Sequence, residues 1–257
     1  MKIYTCRIVL ACIGFTVLCA CKKEKNTEGG TRLYEVVSET NKKLVDYAYT
    51  SDGKLSRVTS YDTTGKVRLT TNYVYAGNTV TETTGGVGFY DSSVSFLDTR
   101  GYAHSVVYNY YNYQDTAVLE YDSEGYLSRA LLTPQKRDTV LFTNKEGKRL
   151  SAKRPGTLGG EEVFEYYDFK DKNQIMPLLN HLSDYGDKYS KQLSWGKAVP
   201  YALKSRYRYS NNDPAHTLVY DYQYDLDKSS NISSIAVTIS YKDSYELFKG
   251  RIYLHYR

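Results

Sequence analysis

Beyond residue 21 the chain has no cysteine: all four, Cys6, Cys12, Cys19 and Cys21, lie in the first 21 residues. If the first three leave with a leader, the remaining domain has no disulfide and no cysteine metal ligand, even where an oxidising compartment would permit disulfides. Histidine is equally scarce. His104, His181, His216 and His255 stand at no zinc-binding spacing such as HExxH. There is no GxSxG nucleophile elbow, and Gly156-Thr157-Leu158-Gly159-Gly160 lacks the Gly-Lys-Ser/Thr of a phosphate loop. Asp225-x-Asp227-x-Ser229 opens like a calcium loop, but Ser230 stands where that loop needs Gly and Ala236 where it needs a bidentate Glu. It reads as a hairpin turn. Glu161, Glu162 and Glu165 form a charged run of the kind that faces solvent. We expect no cofactor, no metal and no catalytic residue, which leaves an enzyme as the least favoured class. One-signed charge is missing too. Lys plus Arg number 34 against 29 Asp plus Glu; without Lys2 and Arg7 the balance is 32 to 29, or +3. Only Lys22, Lys23 and Lys25 cluster, so nucleic acid is excluded as a partner.

The first feature present is a leader. Met1, Lys2 and Arg7 precede an apolar run from Ile8 to Leu18, too short to cross a bilayer and suited to a signal-peptide core. It ends on Leu18-Cys19-Ala20-Cys21, which resembles the bacterial lipobox of one aliphatic, two small residues and the modified cysteine. Residues 1–20 are therefore expected to be a signal peptide. Cys21 is the lipidation site, its thiolate being a strong nucleophile. Several acyl chains make anchoring stable where one does not. Residues 21–31 read as a lipidated cysteine with a polar tether, and 32–257 as a single all-β domain.

Within that domain, period-two alternation is broken by Gly, Asp and Asn turns about every 10–13 residues. Lys43–Thr50 meets Ser51-Asp52-Gly53-Lys54, then Leu55–Tyr61, Asp62-Thr63-Thr64-Gly65, Lys66–Tyr75, Ala76-Gly77-Asn78 and Thr79–Thr83. The beat returns at Asp98–Gly101, Asp122–Gly125 and Asn144–Gly147, each with Asp or Asn to cap a type I turn and Gly for positive φ. Connections this short enforce antiparallel neighbours. The expectation is a long meander of roughly fourteen strands, strongly curled or closed like a barrel, because a flat open sheet of that size is unusual. One segment differs. Pro177 to Leu193 carries Leu178, Leu182, Tyr185, Tyr189 and Leu193 at helical spacing, predicting a short helical insertion near 177–193 that Gly186 weakens. A membrane-embedded barrel is disfavoured, since the faces opposite the apolar ones read Ser56, Thr59, Arg68, Thr70 and Thr83 rather than a lipid-facing band.

Two resemblances follow. YAYTSDGKLSRVTSYDTTGK (Tyr47–Lys66) and LEYDSEGYLSRALL look like divergent tyrosine–aspartate repeats of RHS-type shells. Over most of the mature chain, the strand repeats, the element EYYDFKDKNQIMPLLNHLS and the stretch KAVPYALKSRYRYSNND resemble a family of Bacteroidetes lipoproteins of unknown function with a porin-like domain. Asn173-Gln174-Ile175-Met176-Pro177 departs from the Asn-Pro-aromatic turn of that family. The resemblance implies a barrel-like sheet and carries no activity. Surface-reaching lipoproteins of this bacterial group resemble one another in acidic residues after the lipidated cysteine. Here Lys22, Lys23 and Lys25 surround Glu24, which implies an outer-membrane anchor with the domain facing the periplasm and surface exposure as the alternative. Asp62-Thr63-Thr64, Asp115-Thr116-Ala117 and Asp138-Thr139-Val140 resemble the O-glycosylation signal of that group.

Tyrosine, with 29 copies, dominates the aromatics. Tyr-x-Tyr recurs at Tyr47/Tyr49, Tyr73/Tyr75, Tyr108/Tyr110, Tyr111/Tyr113, Tyr207/Tyr209 and Tyr220/Tyr222/Tyr224, and residues two apart on a strand share a face. Tyr108, Tyr110, Tyr220, Tyr222 and Tyr224 could form an aromatic platform for a glycan or peptide. The plainer alternative is cross-strand packing in a sheet short of aliphatics. Two functions remain: a lipid-anchored, non-catalytic binding module for a glycan, peptide or envelope protein, and a scaffold lipoprotein of an outer-membrane complex. Tyrosines converging in a pocket favour the first, and tyrosines buried in ladders the second.

Overall fold

The computed structural model describes residues 32–86, 88–110, 113–132, 138–154, 160–172, 197–210, 217–242 and 246–257. Sixteen strands run in chain order. The first eight are β1 (Leu33–Ser38), β2 (Lys43–Tyr49), β3 (Leu55–Tyr61), β4 (Val67–Ala76), β5 (Thr79–Gly86), β6 (Phe89–Leu97), β7 (Ala103–Tyr110) and β8 (Tyr113–Tyr121). The second eight are β9 (Leu127–Leu132), β10 (Asp138–Lys145), β11 (Lys148–Lys153), β12 (Gly160–Lys170), β13 (Tyr201–Ser210), β14 (Leu218–Leu226), β15 (Ile232–Tyr241) and β16 (Glu246–Tyr256). Each pairs antiparallel with its sequence neighbours, and β1 pairs with β16, so the sheet is a closed barrel without an edge.

This corrects the expected fold in two respects. The sheet closes with sixteen strands, not roughly fourteen, and no helix occurs among the described residues. The insertion expected near 177–193 lies outside them. Closure needs no helical plug, because β12 and β13 pair directly across that interval, from Gly160 opposite Ser210 to Lys170 opposite Tyr201. The strand count was obscured by two effects. Strands β5 (TVTETTGG) and β6 (FYDSSVSFL) are built on Thr, Ser and Gly with little apolar alternation. Elsewhere register shifts, as at Val36/Val37, Ala48/Tyr49 and Thr143/Asn144, slip the period by one residue.

The turns follow the sequence pattern. Asp62 Oδ1 accepts from the backbone N–H of Thr64 and Lys66, and Asp98 and Asp122 accept in the same way from Arg100 and Tyr102 and from Glu124 and Tyr126. Asp227 does so too, from Ser229 and Asn231, which makes the calcium-like stretch a hairpin turn. Gly125 shows why glycine closes these turns. Its φ is +91°, and a Cβ there would meet the Tyr102 ring at 3.0 Å. The two tyrosine–aspartate stretches each form one such hairpin, β2–β3 and β8–β9.

The interior holds two apolar clusters, while on β4–β8 Thr71, Glu82, Asp91, Ser93 and Asp115 also face inward. One cluster joins Val36, Val45, Val58, Ile235 and Leu254 across the β1–β16 closure, and a second joins Val106, Ala117, Leu119, Leu127 and Val140 on β7–β10. Side chains such as Val36, Val45, Val106 and Ile235 keep no accessible surface. A round sixteen-stranded barrel leaves a water-filled channel; here two apolar lobes line the inner face. Tyrosines fasten the strands. Near the end of an even-numbered strand the phenol donates to a carbonyl near the start of the strand before it: Tyr49 to Leu33, Tyr75 to Leu55, Tyr121 to Ala103, Tyr224 to Leu203 and Tyr256 to Ile232.

Candidate functional site

Cross-strand partners share a face and alternate along each strand, so the register separates inner from outer wall. The outer wall carries Arg57, Asn72, Thr83, Glu120, Asp221 and Arg251, among others. Exposed apolar residues are interspersed with polar ones along the strands there, although Val94 faces Val107 and Val118 faces Leu131 across them. Val118 lies between Thr116 and Glu120, and Leu141 between Thr139 and Thr143. A transmembrane barrel shows the reverse, an apolar belt outside and polar groups within. Ion pairs decorate this surface, with Lys43 bridging Glu35 at 3.0 Å and Asp46 at 2.8 Å, and His255 Nδ1 3.0 Å from Glu35. Exposed pairs of this kind add little stability.

The inner wall places the tyrosines singled out from the sequence in two groups. Tyr108 is buried on β7 within the second apolar cluster, and the side chain of Tyr110 lies outside the described set. Tyr220, Tyr222 and Tyr224 share the inner face of β14, with Tyr222 and Tyr224 packed on the first cluster. Strands β7 and β14 lie far apart in the order around the barrel, so the two groups are not joined in one strand neighbourhood. Tyr224 uses its hydroxyl on the Leu203 carbonyl at 2.6 Å and meets Tyr167 and Phe169 edge-on at 5.8 Å. Burial pushes the Tyr222 phenol up to about 12, and the nearby Arg206 charge partly opposes the shift. Cys21 lies outside the described residues.

Sequence reasoning missed what surrounds Tyr220 and Tyr222. Arg206 on β13 faces inward beside Tyr220, its guanidinium carbon 5.5 Å from that ring's centroid. It forms an ion pair with Glu162 of β12, and Arg208 Nε lies 3.8 Å from the same carboxylate oxygen. On the same inner surface, Arg149 of β11 sits 4.4 Å over the Phe142 ring. Burial lowers the Arg149 pKa from its ordinary value, opposed by the charges of Tyr166, Glu162 and Asp122. Tyr166 is itself pushed up to about 12 by burial. The missed signal was the register. Glu162 belongs to the run EEVFEYY, where alternation puts Glu161 and Glu165 outside and Glu162 inside. No group of three or more His, Cys, Asp or Glu among the described residues could hold a metal ion.

Two solved structures share this architecture. A porin-like protein from Bacteroides uniformis ATCC 8492 aligns with a TM-score of 0.65 at 14% identity, covering 88% of this chain and 95% of that one. The fold is porin-like. A porin-like protein from Bacteroides vulgatus ATCC 8482 gives a TM-score of 0.56 at 15% identity, covering 88% of this chain and 99% of its own. No protein-family model matches the chain, and no curated protein matches it. At these identities the likeness is one of fold. The porin-like β-domain that the family resemblance implied is thus present.

Proposed function

We propose that this chain is a lipid-anchored protein of the outer membrane, held by Cys21 with its barrel in the periplasm. There it acts as a non-catalytic binding module for a glycan, peptide or envelope protein. The observation that carries the reading is the inversion of the wall: outside, charged and hydroxylated side chains; inside, apolar lobes interrupted by the arginines and tyrosines of β11–β14. A polar exterior suits water, and a barrel suited to water reaches a membrane through an anchor rather than through its strands. The ligand contacts in this reading come from Tyr220 and Tyr222, with Tyr224 beside them on β14, whereas Tyr108 and Tyr110 lie apart on β7. Labelling with a clickable fatty acid tests the anchor, and Cys21→Ser should lose the label. Protease shaving of intact cells tests the leaflet, with protection expected; digestion of the barrel while periplasmic controls survive would place it outside.

The second reading, a scaffold lipoprotein, is favoured by one specific observation: Tyr224 is tied to the Leu203 carbonyl and packed among rings, as a core residue would be. Replacing Tyr220, Tyr222 and Tyr224 together by Phe separates the two. A folded variant that loses capture on glycan and peptide arrays supports the binding module. A folded variant with unchanged capture, or a wild type that captures nothing, supports the scaffold.

A further inference from the structure

The inner wall of β11–β14 carries more positive charge than it neutralises. Glu162 is the one carboxylate that pairs there among the described residues, and Arg206 and Arg208 share it. Arg149 forms no ion pair among the described residues. Asp122, whose charge reaches it, is already engaged: Oδ1 accepts from the backbone of Glu124 and Tyr126, and Oδ2 from Asn144 Nδ2. The Nε atoms of Arg149 and Arg206 are closed off from solvent and find no acceptor among the described residues. Asn144, opposite Arg149 in the β10–β11 register, is fixed by Asp122 and by the Leu127 carbonyl at 3.0 Å, and its Oδ1 is likewise enclosed without a donor. Arg149, Glu162 and Arg206 face inward on three consecutive strands, β11, β12 and β13.

Buried donors without acceptors are rare in native folds, and a buried guanidinium without a full counter-charge is rarer still. Such groups are retained where something completes them. Guanidinium forks match carboxylate and phosphate edges, an enclosed amide oxygen accepts from a hydroxyl, and tyrosine rings cover the flat face of a sugar. From this set we propose that the wall binds a small hydroxylated oxyanion, a sugar acid or sugar phosphate. Arg149 and Arg206 hold its anionic group, Asn144 Oδ1 receives one of its hydroxyls, and Tyr220 and Tyr222 flank it. The proposal rests on the binding-module reading and adds the ligand's chemistry to it.

Isothermal titration of the full mature protein with glucuronate, glucose 6-phosphate, inorganic phosphate and glucose tests it. Both acidic sugars should bind at least about ten-fold tighter than glucose, the difference one charge-assisted hydrogen bond makes. Inorganic phosphate should fall between, lacking the hydroxyl contact; phosphate binding as tight as that of glucose 6-phosphate would overturn the hydroxyl assignment. Arg149→Gln and Arg206→Gln should each weaken the acidic sugars about ten-fold or more. Glu162→Gln should strengthen them, because the competing carboxylate is gone, and this gain cannot come from a loss of folding. Acidic sugars that bind no better than glucose, or a folded Arg149→Gln protein with unchanged affinity, would overturn the anion site. Those results leave the binding-module reading to the arrays, which fail separately if nothing is captured.

Discussion

The two apolar lobes and the arginine wall occupy the inner surface of one barrel, yet they solve opposite problems. In the lobes, Val36, Val45, Ile235, Val106 and Leu127 are buried and pack on one another. Along β11–β13, Arg149 and Arg206 are half-buried, and their enclosed Nε atoms find no acceptor among the described residues. The first region is built for stability and the second is held in place by it. Burying apolar side chains stabilises by roughly 1.5–3 kcal/mol each, enough to offset a few charged groups that the fold alone would not retain.

Alkali should break both regions at once and gives the largest effect expected. Tyr166 and Tyr222 have folded pKa values near 12, raised by burial from 10, and burial raises Tyr47, Tyr73 and Tyr224 as well. Because the folded values lie above the unfolded ones, the folded state holds the protons more tightly. Their contribution is full below about pH 10 and is lost as pH rises toward 12 and beyond, at roughly 1.4 kcal/mol per pKa unit for each ring. Circular dichroism across that window should show cooperative unfolding, and Tyr222→Phe should move its midpoint upward. A midpoint unmoved by Tyr222→Phe would mean that ring is not buried as described.

Truncation in the lobes comes next. Ile235→Ala and Leu127→Ala should each lower the unfolding free energy by about 2–5 kcal/mol in urea. The arginine wall should respond with the opposite sign: Arg149→Met should be neutral or stabilise by about 1 kcal/mol, since it removes a half-buried, uncompensated charge while keeping most of the volume. If Arg149→Met destabilises as much as Ile235→Ala, the arginine is part of the core and the contrast between the regions fails.

Much of the barrel was legible in the sequence because its rules are local. Asp at the start and Gly at the end of each turn, and alternation between them, gave the meander and the hairpins around Asp62, Asp98 and Asp122. The Tyr-x-Tyr spacing was also legible, though its meaning was not. In Tyr47/Tyr49 and Tyr73/Tyr75 the first ring fills the core and the second donates to a neighbouring strand's carbonyl, a division of labour that only the register assigns. Strand β5 was read only as Thr79–Thr83, because Thr and Gly give no apolar rhythm over the rest of Thr79–Gly86. The arginine wall escaped because it is assembled from β11, β12 and β13, where bulges at Thr143/Asn144 and Glu165/Tyr166 decide which side each charge faces. No single stretch carries that signal.

The central claim is that this barrel keeps its apolar clusters within and a predominantly polar wall without, unlike a membrane-spanning one. Producing the chain without residues 1–21 and following it by size exclusion and far-ultraviolet circular dichroism, with no detergent at any step, tests this directly. The wall described here predicts a soluble, monodisperse, β-rich protein, unaffected by reductant. Aggregation that only detergent relieves would contradict it and put lipid against the outer wall.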